Sequence, residues 1–220
     1  MKKVLLALMM ALPLASPAKE KVDDSKYLKG AVPEVNGVVT FHKAFAVPGK
    51  SKSDIYKVVK AYLTDKVENS IPSPVNYARM NQDSADTLAA QICEWQVYTK
   101  KFLNLDRSRF RYSLNVIISD GKVSIDMTRL AYYYMEDQEG NNGVNYRAEE
   151  WINDANALNK AGSKLLPKSN KFRRKTVDRA EEIFDEIMDI FEQKALQEEQ
   201  EKAKKATEPE KKLRSHVQEL

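Results

Sequence analysis

Residues 110–131 read FRYSLNVIISDGKVSIDMTRLA, and this stretch decides the fold. Phe110, Tyr112, Leu114, Val116 and Ile118 alternate with Arg111, Ser113, Asn115 and Ser119, the two-residue period of a half-buried strand. Asp120-Gly121 is a two-residue turn of the kind that joins hairpin strands. On the return strand Val123, Ile125, Met127 and Ala131 carry the apolar face onward. Closing the hairpin at that turn sets Ile118 opposite Val123, Val116 opposite Ile125, and Leu114 opposite Met127. The apolar sets match across the pair. A slip of one residue would turn every one of them outward, so the register specifies itself. The other face carries Arg111, Ser113, Asn115, Asp126 and Thr128. One apolar face and one polar face mark an antiparallel sheet that covers its core on one side only.

Elements on either side obey the same logic. Val39, Phe41, Phe45 and Val47 alternate with Thr40, His42, Ala44 and Ala46, and Pro48-Gly49 ends this strand. Ser51 or Ser53 can cap a helix there, and Ser51 with Asp54 resembles a capping box. Ile55, Val58, Val59, Tyr62 and Leu63 then form one helical stripe, which should end near Asn69 because Ile71-Pro72-Ser73-Pro74 cannot continue it. A short strand is expected over 75–80, a turn over 81–86, and a longer strand over 87–99. In that last strand Leu88, Ala90 and Ile92 keep one phase while Cys93, Trp95 and Val97 keep the other, which predicts a bulge between them. After the hairpin come a polar loop over 136–143, a short helix over 147–160 carrying Trp151 and Ile152, and a long amphipathic helix through Val177, Ala180, Ile183, Phe184, Ile187 and Phe191. From Gln197 the stripe thins into a charged helical extension or tail with acidic and basic residues in equal number.

The order is strand, helix, four strands, an inserted short helix and a long helix. It predicts an α+β domain of two layers over 38–196, a curved antiparallel five-stranded sheet with helices packed on one face.

At the other end, Met1-Lys2-Lys3 is basic, Val4 to Leu14 is apolar apart from Pro13, and Ser16-Pro17-Ala18 ends on small residues. This is the order of a secretory signal peptide, with cleavage expected near Ala18. The apolar run is too short for the ~20 residues that span a bilayer. The mature chain would keep roughly 200 residues, one domain with appendages. Residues 19–37 read as a polar linker. The formal net charge of the whole chain is +4, and the leader removes Lys2 and Lys3, so bulk charge gives no reason to expect a nucleic acid. Cys93 is the single cysteine, so there is no internal disulfide. A periplasmic or secreted product without stable membrane insertion is expected.

Within this pattern the chain resembles the exported bacterial domains of the family known as domain of unknown function 4468, whose fold is like that of the TATA-box-binding protein (TBP-like). The likeness rests on Phe45-Ala46-Val47-Pro48-Gly49-Lys50-Ser51-Lys52, the helix through Tyr56, the hairpin around Asp120-Gly121, Ala157-Leu158-Asn159-Lys160 and Lys171-Phe172-Arg173. It covers about residues 38–194. The resemblance implies the fold and brings no activity and no functional residues. DNA binding by the fold's namesake is fold analogy and transfers no ligand.

No catalytic signature stands out. Two histidines, His42 and His216, and one cysteine do not make a zinc site. A Cys93–His42 nucleophile pair would need the two side by side in space, and the bland reading of Cys93 is a small buried hydrophobe. Acidic pairs such as Glu149-Glu150 and Glu181-Glu182 diverge on a helix. The densest basic cluster, Lys168, Lys171, Arg173, Arg174, Lys175 and Arg179, is interleaved with acids and reads as a solvated helix start. No cofactor is expected. The candidate binding surface is the polar sheet face with the tyrosine run, namely Arg111, Ser113, Asn115, Asp126, Thr128, Tyr132 and Tyr134. The function expected is an exported, non-enzymatic binding or assembly module for an envelope protein, peptide or glycan. The alternatives are an envelope hydrolase or thiol-dependent enzyme, and a structural protein whose tail pairs with another helix.

Overall fold

The computed structural model describes residues 23–68, 77–101, 104–134 and 142–218. In chain order the strands and helices are β1 (Glu34–Val35), β2 (Val38–Ala46), α1 (Lys52–Glu68), β3 (Tyr77–Asp83), β4 (Thr87–Lys101), β5 (Asn104–Ser119), β6 (Lys122–Tyr134), β7 (Val144–Arg147), α2 (Ala148–Trp151), α3 (Asp154–Ala157) and α4 (Asn170–Gln218). The antiparallel sheet runs β1-β2-β6-β5-β4-β3, and β7 pairs with the far half of β6 beyond the end of β2. It therefore has seven strands. The two beyond the expected five are short, β1 and β7.

The hairpin register is the one the sequence dictates: Ile118 faces Val123, Val116 faces Ile125, and Leu114 faces Met127. Its turn also anchors the first helix. The Asp120 carboxylate accepts the Lys52 backbone N–H at 2.7 Å, and Gly121 exchanges backbone hydrogen bonds with Val47 and Lys50. An acidic group at a helix start satisfies an orphan donor and complements the helix dipole. Ser51 caps as expected, its Oγ accepting the Asp54 N–H at 3.2 Å. Ile55, Val59 and Leu63 of α1 are buried, as are Val177, Ala180, Ile183, Phe184, Ile187 and Phe191 of α4. Both stripes lie on the same side of the sheet against one core.

Four local expectations need correction. First, β4 has no bulge between Ile92 and Cys93. It alternates through, so Glu94, Gln96 and Tyr98 continue the helix-facing side, and the irregularity falls at Tyr98 instead. Second, β6 has a bulge that the hairpin pattern does not anticipate. Arg111 pairs with Ala131 but Ser113 with Thr128, so Arg129-Leu130 oppose the single residue Tyr112. Arg129 sits there at φ 55°, a left-handed conformation rare outside glycine. The extra residue reverses the phase, and Leu130 and Tyr132 enter the core in place of Ala131. Third, the expected helix over 147–160 is two single turns, α2 and α3, separated at Asn153, whose side chain caps α3 by accepting the Asn156 N–H. Fourth, residues 23–37 are not a free linker. Asn36-Gly37 makes a tight turn with both φ angles positive, closing β1 onto β2, and Val32 is buried. The leader, the segment 71–74 and most of the 136–143 loop lie outside the described residues.

Arg173 holds these pieces together. Its guanidinium is fully buried. It donates to the backbone carbonyls of Tyr27, Leu28 and Ile152 at 2.6–2.7 Å and to the Asp154 carboxylate at 2.7 Å. Beside it Phe172 meets the rings of Tyr98, Tyr132, Tyr134, Tyr146 and Trp151, with centroids 4.6 to 6.3 Å away.

A buried charge with all its partners in place is costly to break from one side, by about 3–5 kcal/mol. R173M should lose stability of that order, read as a lower urea midpoint. A second prediction concerns α1 and α4, bridged by Glu186, which accepts from Tyr62 (2.7 Å) and pairs with Lys66 (2.8 Å) and Arg179 (3.2 Å). Partial burial pushes its carboxyl up, but the bonds from Lys66 and Tyr62 outweigh that and hold it below the ordinary glutamate range. A carboxyl that titrates lower folded than unfolded contributes fully above its unfolded value and loses that contribution as pH falls through the folded one. E186Q should cost about 0.5–1 kcal/mol at neutral pH. Its deficit against the parent should shrink on acidification, measured by urea titration at stepped pH.

Candidate binding face

With every described helix on one side, the other side of the sheet is a surface of strand residues. Cross-strand pairing arranges them in rows. One row runs Arg79, Gln91, Ser113, Thr128, Thr40; the next runs Ala89, Asn115, Asp126, His42. Towards the other end the rows are Cys93, Arg111, Ala131, Arg147, then Trp95, Arg109, Tyr133, Asn145. Five of the seven expected site residues, Arg111, Ser113, Asn115, Asp126 and Thr128, thus share one face. Tyr132 and Tyr134 do not. The bulge at Arg129-Leu130 turns them to the helix side, where Tyr132 is 0% exposed and bonded to Thr176 at 2.6 Å. Tyr134 donates to Asp106 at 2.9 Å and packs on Phe172. Tyr133 takes the open-face position instead.

Sequence reasoning missed Arg107, Arg109, Trp95, Tyr133, Arg79 and Arg147. The signal for the first two was present: continuing the β5 alternation backwards from Arg111 puts Arg109 and Arg107 on its face. Trp95 joins them once β4 is known to alternate without a break.

The face has two characters. Around β2 and the first half of β6 it is hydrogen-bonded: Thr40 and Thr128 hydroxyls lie 3.1 Å apart, and His42 Nδ1 meets Asp126 Oδ1 at 2.6 Å. Around the far ends of β4 and β5 it is cationic and aromatic. The Arg107 guanidinium lies 3.6 Å from the centroid of Trp95, and that of Arg109 lies 5.3 Å from Tyr133. A guanidinium over a ring is attracted by its quadrupole. Ile117, 54% exposed, adds an apolar spot between the β4 and β6 rows.

Other candidates fall away. His42 and Cys93 stand on β2 and β4 with β6 and β5 between them, roughly 14 Å apart from strand spacing alone, so no Cys/His pair forms. The basic cluster is dispersed: Lys171 binds Asp106, Arg174 pairs with Asp24, Arg179 with Glu94, Glu182 and Glu186, and Arg173 is interior. Burial pulls the Lys171 amine down, but its bonds to Asp106 and Tyr134 prevail and keep it charged. Burial pushes the Tyr98 and Tyr132 hydroxyls well above the usual phenol range, so both stay neutral. A cleft of about 550 Å³ between β4 and α4 is walled by Glu94, Gln96, Arg179, Glu182 and neighbours, most already engaged in ion pairs. Among the described residues no group of three His, Cys, Asp or Glu could hold a metal ion, and no helix is long and apolar enough to cross a membrane.

An open antiparallel sheet with two long helices on one side is a TBP-like architecture. The family model described as a domain of unknown function (DUF4468) with TBP-like fold matches residues 41–133. A DUF4468 family protein from Bacteroides ovatus ATCC 8483 is 35% identical, with 78% of this chain and 96% of that one covered and a TM-score of 0.70. The chain therefore belongs to the DUF4468 family. A TBP-like protein from Parabacteroides distasonis ATCC 8503, 17% identical over 74% of this chain and 97% of that one, shares the fold at a TM-score of 0.60. No curated protein matches.

Cys93 bears on the thiol-enzyme alternative directly. It lies on the open face yet is only 7% exposed. A buried thiol is a poor nucleophile. Its reaction with a bulky disulfide reagent should be at least tenfold slower in the native protein than in denaturant; equal rates would restore the thiol alternative.

Proposed function

We propose that this protein is an exported, non-enzymatic binding module that holds a partner on its open sheet face. Binding requires a surface with defined polar groups on a rigid support, and a sheet braced from behind by two helices supplies one. The observation that carries the reading is the set of aligned rows. Strand pairing fixes Thr40, Thr128 and Gln91 in one line, with Ser113 between them only 8% exposed, and Trp95, Arg109 and Tyr133 in another. The leader-like first eighteen residues support export.

The test is site-specific photo-cross-linking in the native host. A cross-linker at position 117, exposed on the face near the hairpin turn, should capture one discrete adduct from the envelope fraction. The same group at position 189, exposed on α4, should not. The captured chain should begin near Lys19. Equal capture from both positions, or an intact leader on a cytoplasmic protein, would overturn the reading.

A further inference from the structure

We propose that the cleft between β4 and α4 binds a short extended peptide with both ends free, its carboxylate at Lys175 and its ammonium at Asp185. The cleft is walled by α4, whereas no described helix lies on the open face, so this is a second site and does not rest on the first.

The ion pairs of the cleft wall leave a remainder. Lys26 is held by Asp178 and Glu181, and Arg179 by Glu94 and Glu182. Two lining charges are left over, Lys175 and Asp185. Both are exposed, and neither has an ion-pair partner among the described residues. They stand at opposite ends. Phe172 meets the Tyr98 ring with centroids 4.6 Å apart, and Arg179 meets Glu94 at 2.8 Å, so α4 runs antiparallel to β4. Lys175 falls between these two contacts, level with Gln96 and Val97. Asp185 lies further along the helix, beyond Glu94. From Lys175 to Asp185 the helix advances roughly 15 Å.

A third group is short of a partner. Gln96 lines the cleft and is only 7% exposed. Its Oε1 accepts from the Tyr98 hydroxyl at 3.0 Å, and its Nε2 finds no acceptor among the described residues. A buried donor without an acceptor is costly. The lack points to a ligand oxygen at the Lys175 end of the cleft.

Charge and length select the occupant. An extended tetrapeptide spans roughly 13–14 Å, close to the offset between the two free charges. The cleft, about 550 Å³, lies within the range of ligand clefts. A terminal carboxylate suits Lys175, and a peptide carbonyl supplies the oxygen that Gln96 lacks. A terminal ammonium suits Asp185, which has Glu181 and Asp189 four residues away on either side, where like charges repel and a cation relieves them. A diamine would place the wrong sign at Lys175, and a dicarboxylate the wrong sign at Asp185.

The experiment is isothermal titration calorimetry on the chain from Lys19 to Leu220, with tetra-alanine as the probe. The peptide with free ends should bind. N-acetylation and C-amidation should each weaken it at least fivefold, and added salt should weaken it too. D185N should erase the preference for a free amino terminus and keep that for a free carboxylate; K175Q should do the reverse. A merely structural role would not divide the two preferences in this way. Q96L should weaken binding at least threefold without lowering the urea midpoint, because Tyr98 keeps its bond to Ser108. E192Q, exposed on α4 outside the cleft, should leave binding unaltered. Four results would each overturn the proposal: no binding of the free tetrapeptide, equal binding of its capped forms, tighter binding of spermidine, or D185N and K175Q acting alike on both preferences. Cross-linking at position 117 reports on the open face alone, so this proposal and the binding-module reading fail separately.

Discussion

The buried guanidinium of Arg173 is the constraint on which the arrangement depends. A charge with no exposure to water must find its hydrogen bonds inside the protein, or the fold loses several kcal/mol. Arg173 finds them on three separate pieces of chain: the arm at Tyr27 and Leu28, the end of α2 at Ile152, and Asp154 at the start of α3. None of these pieces has an extensive apolar face of its own. Docked on one side chain of α4, they become part of the domain. Phe172 and Lys171, its neighbours in sequence, seat the same helix turn on the sheet through the aromatic cluster and through Asp106. Three consecutive residues thereby fix where α4 crosses, and the helices are kept to one face. No described helix lies on the opposite face.

Much of this was legible. The hairpin register, the stripes of α1 and α4, and the one-sided sheet come from periodicity because burial enforces it. What sequence periodicity could not do was assign a phase change to its cause. In β4, Ile92 is succeeded by Cys93, Trp95 and Val97, and apolarity switches sides in the pattern. The strand in fact runs straight, because Glu94 on the helix side is neutralised by Arg179 of α4 and held by the Tyr112 hydroxyl. A polar residue can face inward where a distant element brings its partner, and no local pattern reports that partner. In β6 the apolar positions pass from Met127 to Leu130, a step of three, and there the switch is real. The Asn36-Gly37 turn fell inside a stretch that reads as a linker, because the two residues of β1 give no strand period to flank it.

The candidate surface was legible to the same depth. Arg111, Ser113, Asn115, Asp126 and Thr128 lie where a clean alternation puts them. Tyr132 and Tyr134 were lost to the bulge, and Tyr133 was gained by it. One residue inserted in β6 decides which of three consecutive tyrosines meets solvent, so a run of identical residues carries no information about its own facing until the ladder is known.

Charge shows the same separation between chain order and space. The cluster from Lys168 to Arg179 is the densest basic run in the sequence, yet its members turn different ways around one helix. They end in the core, in ion pairs with Asp24, Glu94 and Asp106, over the Trp151 ring, or, for Lys175, on the exposed side of the helix. The arginines of the open face come from β3, β5 and β7, up to 68 positions apart in number, and no short window of sequence contains them all. Helical neighbours diverge by about 100° per residue, which scatters a local cluster. Sheet pairing does the reverse: it gathers alternate residues of separate strands onto one plane at ~4.8 Å intervals. A basic surface on a sheet is therefore built from long-range register. Its existence here depends on the same pairings that close the hairpin, and a register slip in β5 would exchange Arg107, Arg109 and Arg111 for Ser108, Phe110 and Tyr112.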